Sequence, residues 1–381
     1  MPPRTPFFQI KMGDKTLPSR GEDISAWVSS VTVTEDDRQA DNVSITIPDP
    51  KMIYADGLFE GSYIEADLGY AEPNQHALMI RAIVTKVELN YPDTGVPSLT
   101  LKGEDRSILM GLVEKKKVWK DRKVSDIVLE IAKQAGFDPA HVQIELNPDP
   151  VLRGKSITQD GKTDLAFLQE LAQKYHSKCF VELDERGLEV LFFIPDRRIV
   201  RMNRPDEVVL RYRTGPNSNL ISFSPSFDSS YLDRQKEISD VDVKGKPVKS
   251  QERPLSEDIL WTLDSARLAQ VSQSDGGKIK RLYDMGSSLK PDLQKKLAAK
   301  RPSVGKVVAD RADIDDTNET LASCRLGMSA SGTTFGNIWL RAKSNVIIEG
   351  VSARFEAKWY VSSVTHRIDS SGYKTDFKCV R

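Results

Sequence analysis

Cysteine is scarce in this chain: Cys179, Cys324 and Cys379 are the only three in 381 residues. None belongs to a CxxC pair, and an odd number so widely spaced argues against a disulfide framework. Buried free thiols are what such cysteines imply. Aromatic residues make up 7%, with five tryptophans, which is little for a module built on exposed aromatic platforms. An excess of one charge is also missing. Lys+Arg and Asp+Glu both number 55, so no global basic footprint points to nucleic acid or an anionic membrane. Local runs such as Lys115-Lys116-Lys117-Val118-Trp119-Lys120 read as solvated faces. The longest purely apolar stretch, Val190 to Ile194, is far short of the roughly 20 residues that span a bilayer. Met1-Pro2-Pro3-Arg4 lacks the apolar segment of a signal peptide. The expectation is a soluble protein made in a cytoplasm.

Chemical motifs are absent as well. There is no GxSxG elbow and no cysteine in a catalytic context. Four histidines occur, His76, His141, His176 and His366. A lone strand histidine such as His366, between Thr365 and Arg367, is ordinarily structural or interfacial. HExxH, HxH and the calcium loop DxDxDG are missing. Asp313, Asp315 and Asp316 lack the glycine and distal glutamate of an EF-hand and suit the first turn of a following helix. Neither GxxxxGK[ST] nor GxGxxG occurs. The expected catalytic, cofactor-binding and metal residues are therefore none, and no cofactor is expected. Paired carboxylates for glycoside hydrolysis stay open, since their pairing is spatial.

What the chain does have is alternation. Val43-Ser44-Ile45-Thr46-Ile47 and Tyr63-Ile64-Glu65-Ala66-Asp67-Leu68 alternate apolar and polar, and a longer run covers Ala77 to Leu89 before a turn and a return through Leu99 and Leu101. About six such strands close readily into a small barrel or sandwich. Beyond Asp105 the period changes. Val124 to Ala132 is helical in spacing with Gly136 as C-cap, and Thr163 to Tyr175 is a second helix capped by Thr163 or Asp164. Strands Cys179 to Leu183 and Leu188 to Ile194 follow. Alternation resumes over Val208 to Tyr212 and Leu220 to Phe227, and a closing β run spans Asn337 to Val380 after a helix around Glu319 to Met328. Residues 246–315 read as a polar insertion with short helices at Leu263 to Val271 and Pro291 to Lys300. Trp27 and Trp359 sit in strand patterns, as core or interface.

The two β regions echo one another. Val84-Thr85-Lys86-Val87, a turn with Gly95, and Leu99-Thr100-Leu101 lie beside Val361-Ser362-Ser363-Val364, a turn with Gly372, and Thr375-Asp376-Phe377. Each is preceded by a strand ending in glycine, Ile64 to Gly69 and Val346 to Gly350.

Several stretches carry a family resemblance. They are Glu22 to Val28, Ala40 to Asp49, Phe59 to Ile64, Leu99 to Ser107, Lys117 to Lys120 with Val124 to Ile127, Gln159 to Ala172 as a second helix, and Trp359 through His366 to Phe377. In their order and spacing the chain resembles the tail-hub family of contractile phage tails, late control protein D, related to the hub part of type VI secretion spike proteins. The resemblance implies a mainly β fold with α+β: two tail-tube-like antiparallel β-barrels, a small α+β module and a polar, partly helical insertion. The corresponding partition is 1–106 for the first barrel, 107–200 for the module, 201–245 with 316–381 for the second barrel, and 246–315 for the insertion.

The resemblance further implies a non-enzymatic virion baseplate hub. It would be a homotrimer whose six barrels make a pseudo-sixfold ring between a sixfold tail tube and a threefold central spike, with baseplate wedge and tape measure proteins as further partners. No nucleic-acid recognition is implied. The chain stops at Arg381 after the second barrel, so the spike is expected as a separate chain. The rival readings are the hub of a tailocin or extracellular injection particle, a tail-associated cell-wall hydrolase, and a glycan-binding module.

Overall fold

A computed structural model describes residues 4–14, 21–57, 59–146, 149, 156–175, 177–184, 186–195, 208–227, 239–241, 247–249, 273–282, 284–285, 328–352 and 354–381. The chain is mainly β, and thirteen strands share one hydrogen-bonded sheet. Its first part holds β1 (Pro6–Gly13), β2 (Glu22–Asp23), β3 (Ser30–Asp36), β4 (Asn42–Pro48), β5 (Tyr63–Tyr70), β6 (His76–Asn90) and β7 (Ser98–Glu104), in the antiparallel order β3-β4-β7-β6-β5-β1-β2. The alternation in sequence becomes alternation in burial. Val31 and Val33 of β3, and Val43, Ile45 and Ile47 of β4, point inward and pack with Ile10, Ile64, Leu68, Leu99 and Leu101. Each such side chain contributes about 1.5–3 kcal/mol by leaving water.

The middle part is an α+β module of β8 (Glu114–Lys120), α1 (Val124–Gln134), β9 (Val142–Ile144), β10 (Ser156–Thr163), α2 (Asp164–Lys174), β11 (Ser177–Leu183) and β12 (Glu189–Pro195). Val124, Ile127, Val128 and Ile131 put one apolar face of α1 into the module's core. That helix stops in a Schellman motif. Gly136 takes φ +82°, its N–H reaches the Lys133 carbonyl at 3.0 Å and the Phe137 N–H reaches that of Ala132 at 3.0 Å. The Thr163 hydroxyl caps α2 by accepting from the Ala166 N–H at 3.3 Å. The Lys115–Lys120 run is strand β8; Lys115 and Lys117 pair with Asp164 and Glu130, and the Lys117 ammonium lies 3.8 Å from the Trp119 ring centroid.

The last part holds β13 (Val208–Arg211), β14 (Leu220–Phe227), a small hairpin β15 (Ser239–Val241) and β16 (Pro247–Lys249), then β17 (Met328–Phe335), β18 (Ser344–Glu349), β19 (Ala357–Asp369) and β20 (Gly372–Val380). Its strands run β13-β18-β19-β20-β17-β14. The order matches β1-β5-β6-β7-β4-β3 strand for strand. One pairing differs, since β13 runs parallel to β18 whereas β1 is antiparallel to β5. The match extends to single residues. β6 carries a register shift between Val84 and Lys86 against β7, and β19 carries one between Val361 and Ser363 against β20. The residues left over are Thr85 and Ser362, and their hydroxyls bond to the Lys102 and Lys378 carbonyls. The echo in the sequence is therefore one of topology down to the β-bulge.

Four expectations need correction. Trp27 is in a short 3-10 turn, half-exposed and stacked on Tyr54, because its turn follows the hydrogen bonds of Asp23 and Ser25 and not strand pairing. Gln159 to Thr163 is strand and α2 begins at Asp164, since those residues pair with β8. The closing β region starts earlier than Asn337. Met328–Phe335 is already strand, held between β14 and β20, and residues 336–343 leave the ladder. Residues 273–282 are helical where no helix is expected. The expected helices at 263–271 and 291–300, residues 319–327 of the one expected over Glu319 to Met328, and the Asp313, Asp315 and Asp316 cluster lie outside the described residues, while Met328 itself is the first residue of β17.

Trp359 is the largest fully buried side chain among the described residues; its indole N–H donates to the Phe355 carbonyl at 3.0 Å and its ring meets Phe223 edge-on at 5.8 Å. Trp359→Ala should lower the unfolding free energy by about 3–5 kcal/mol in urea titrations, whereas Trp27→Ala should change it by less than about 1 kcal/mol.

Candidate functional site

The two β parts meet along β19, which serves both. Its first half, Ala357 to Val361, pairs with β18 of its own part. Past the Ser362 bulge, Ser363 to Ile368 pair with Asp36 to Val31 of β3. The bulge thus redirects the strand from one neighbour to another. At the handover the Asp37 N–H donates to the Ser362 carbonyl at 3.0 Å, and along the seam the Thr34 and Thr365 hydroxyls are 3.3 Å apart.

His366 lies in this seam, opposite Val33 and fully buried. Its Nδ1 is 2.8 Å from the Tyr373 hydroxyl and 3.2 Å from that of Thr375. Burial, and then the Arg341 guanidinium, push its pKa down to about 3, with the Leu340 backbone opposing. The imidazole is neutral at pH 7. A base so shut away from solvent has no route to a substrate proton. Cys179 and Cys379 are likewise buried, and burial pushes both thiols up to about 12.

Beside the seam is a buried cluster of charges drawn from all three parts. Residues 336–343 supply the cations. Arg341 pairs with Glu35 of β3, reaches Glu182 of β11 at 3.2 Å and donates to the Met79 carbonyl at 3.1 Å. Lys343 bonds both Asp41 oxygens at 3.1 Å and lies 3.5 Å from Glu182. Asp41 also accepts the Asp36 N–H, and Asp105 accepts the N–H groups of Asp41 and Ser107 at 2.6 and 2.7 Å. A second contact joins Lys178 of β11 to Asp37, whose carboxylate also accepts from the Tyr360 hydroxyl at 3.1 Å.

Carboxylates outnumber cations in this cluster, and the electrostatics follow. Burial alone would lower the Lys343 pKa, but Asp41, Glu182 and Glu35 overcome it and raise it. Burial raises Asp41 well above its usual range, with Glu182, Glu35 and Asp105 adding to the effect against Lys343. Such a cluster is costly to desolvate and intolerant of losing one member. The cavity next to it, between Asp41, Arg81, Asp105 and Glu182, measures ≈ 10 Å³. That is room for about one water, against several hundred Å³ for a small-molecule site. Among the described residues no group of three or more His, Cys, Asp or Glu is arranged to hold a metal. No described helix is long and apolar enough to cross a membrane.

Sequence reasoning names His366 but misses this junction. A signal is present in hindsight: Val31, Val33 and Glu35 occupy successive inward positions of β3, so the third places a carboxylate where the pattern calls for an apolar side chain.

No protein-family model matches the sequence, and no curated protein matches it. Solved structures do. A tail protein from Neisseria meningitidis aligns over 98% of this chain and 96% of its own, with a TM-score of 0.61 at 13% identity. The 43 kDa tail protein of prophage MuSo2 from Shewanella oneidensis aligns over 99% and 98%, with 0.58 at 11%. An E. coli component of the type VI secretion system, itself described as similar to the T4 tail proteins gp27 and gp5, aligns over 97% of this chain and 76% of its own, with 0.53 at 12%. These likenesses establish the fold: the chain has the fold of these phage tail proteins and of this type VI secretion component, as expected from the contractile tail-hub resemblance.

Two outcomes test the junction. His366 takes up a proton near pH 6.5 when unfolded but only near 3 when folded. The unfolded chain then binds more protons at acid pH, so this residue's stabilisation is complete above about 6.5 and is lost at about 1.4 kcal/mol per pH unit below it. Urea midpoints measured at pH 7 and pH 5 should converge in His366→Gln relative to the parent. Lys343→Met should cost about 3–5 kcal/mol by leaving carboxylates unpaired, and adding Asp41→Asn, which keeps the acceptor for the Asp36 N–H, should recover part of that in the same titration.

Proposed function

We propose that this protein is the baseplate hub of a contractile tail: a homotrimer whose two β parts per chain act as barrels in a pseudo-sixfold ring, joining the sixfold tail tube to a threefold spike. The observation that carries the reading is the repetition within one chain. Two β parts share strand order and bulge position and are fused into one sheet through β3 and β19. A chain with two equivalent units can present sixfold-like symmetry on one face while assembling as three copies on the other. The likeness to tail proteins supports the same role and an architectural rather than enzymatic one. Under this reading residues 1–106 and 201–245 with 316–381 form the ring, 107–200 brace it, and 246–315 face baseplate wedge proteins. The tail tube, spike and tape measure proteins are its axial partners, and the virion tail is its place.

Three copies of the 42.7 kDa chain amount to about 128 kDa. Light scattering of the purified chain, alone and with tube and spike proteins added, should show three copies of the chain in at least one condition, at that mass alone or at that mass plus the bound partners. A single-chain mass in every condition defeats the ring.

A further inference from the structure

The seam inside the chain uses one edge of each β part, and among the described residues nothing pairs with the equivalent edges. Past Val84, β6 pairs only with β7, so Lys86 to Asn90 have no second neighbour among the described residues. Among the described residues β14 pairs only with β17. By strand order β6 is the counterpart of β19, and β14 the counterpart of β3. The open edges are therefore the second copies of the two strands that form the seam.

Register follows from the bulges. With Thr85 placed on Ser362, Asn90 falls on Arg367. The ladder steps through Lys102 and Lys378, then Ser44 and Ser331, place Thr32 on Ser224. Arg367 faces Thr32 in the seam, so Asn90 would face Ser224. Continuing along the strands, Leu89 falls opposite Pro225, Glu88 opposite Ser226 and Val87 opposite Phe227.

Exposure supports the pairing. His366 and Ile368 are 0% and 3% exposed in the seam, whereas their counterparts Leu89 and Tyr91 are 45% and 56% exposed. Apolar side chains thus stand uncovered where the fold's own repeat covers them. Phe223 and Phe227 continue inward from β14 as Val31 and Glu35 do from β3. One bond is absent from the template: Pro225 occupies the place of Val33 and has no N–H. A proline on an open edge also discourages indiscriminate strand addition.

We infer that β14 of one chain pairs antiparallel with residues 86–90 of β6 in a second copy of the same chain, in the register that sets Glu88 opposite Ser226, and that this contact closes the ring. The inference rests on the ring reading above. It is a head-to-tail contact, using different surfaces on the two copies, and it reproduces between chains the junction that β3 and β19 make within one.

The test is disulfide trapping in the full-length chain carrying Cys324→Ser, with buried Cys179 and Cys379 retained. Thr34→Cys with Thr365→Cys serves as the positive control, since those hydroxyls already touch, and should link within one chain. Glu88→Cys with Ser226→Cys, oxidised with and without tube and spike proteins, should give covalent dimers and trimers on non-reducing gels, and neither single variant should give trimers. Trimers by light scattering with a working control but no 88–226 link overturn the strand pairing and leave the ring reading standing. A single-chain mass in every condition overturns both. Leu89→Asp with Tyr91→Asp gives an independent readout: the assembled mass should fall to that of one chain with an unchanged melting temperature, and a persistent trimer contradicts the inference.

Discussion

Everything in this molecule depends on one strand having two neighbours. β19 can complete its own β part and still pair with β3 only because the ladder shifts at Ser362, which ends one partnership and turns the chain toward another. Hydrogen bonds across that seam orient the two β parts, but a single ladder is a hinge as much as a joint. The charges beside it remove the hinge. Arg341 and Lys343 reach from residues 336–343 into carboxylates of β3, of the segment before β4 and of β11, so any rotation about the seam would pull buried ions apart. Pairs of this kind add little net stability, and their value is in fixing one arrangement among several.

The two β parts solve the same problem with different residues. Where β6 has Leu89, β19 has His366; where β4 is followed by a loop ending at Ser62, β17 is followed by the shorter one that carries Arg341 and Lys343. The copy buried within the chain has acquired polar and charged contacts, held in place by a covalent connection that keeps the partners together. The copy left at the surface has kept apolar side chains. That difference fits a contact that must form between separate molecules, where burial of apolar area is the non-directional term that drives association.

Much of this fold is legible in the sequence, because a half-buried strand announces itself. Val43 to Ile47 alternates without a fault and is β4; Val124 to Ile131 shows helical spacing and is α1. The bulge alignment of Thr85 with Ser362 is also visible in the one-dimensional echo. β17 is not legible, since MSASGTTF buries small or polar side chains such as Ala330 and Thr334 and offers no hydrophobic period. Neither is β10, whose Gln159 is buried by bonding to the Lys162 carbonyl and Asp164. The charged junction is hidden for a different reason. Glu35 and Arg341 are hundreds of residues apart, and their meeting is decided by the seam, which no local pattern encodes.

The sequence distance across that seam has a consequence for how the chain is made. Thr34 and Thr365 are separated by 331 residues. At ribosomal speeds of about 5–20 residues per second, β3 emerges roughly 15–65 s before its partner strand exists. Throughout that interval the first β part has an unpaired edge, the kind of surface that recruits stray strands. The side chains at its end, Glu35, Asp36 and Asp37, are well suited to the wait. Until Lys178 and then Arg341 are made, these three carboxylates have only Arg38 beside them, and the net negative patch repels copies of the same nascent edge on neighbouring ribosomes. The carboxylates that lock the finished molecule serve, during synthesis, as its guard against premature association.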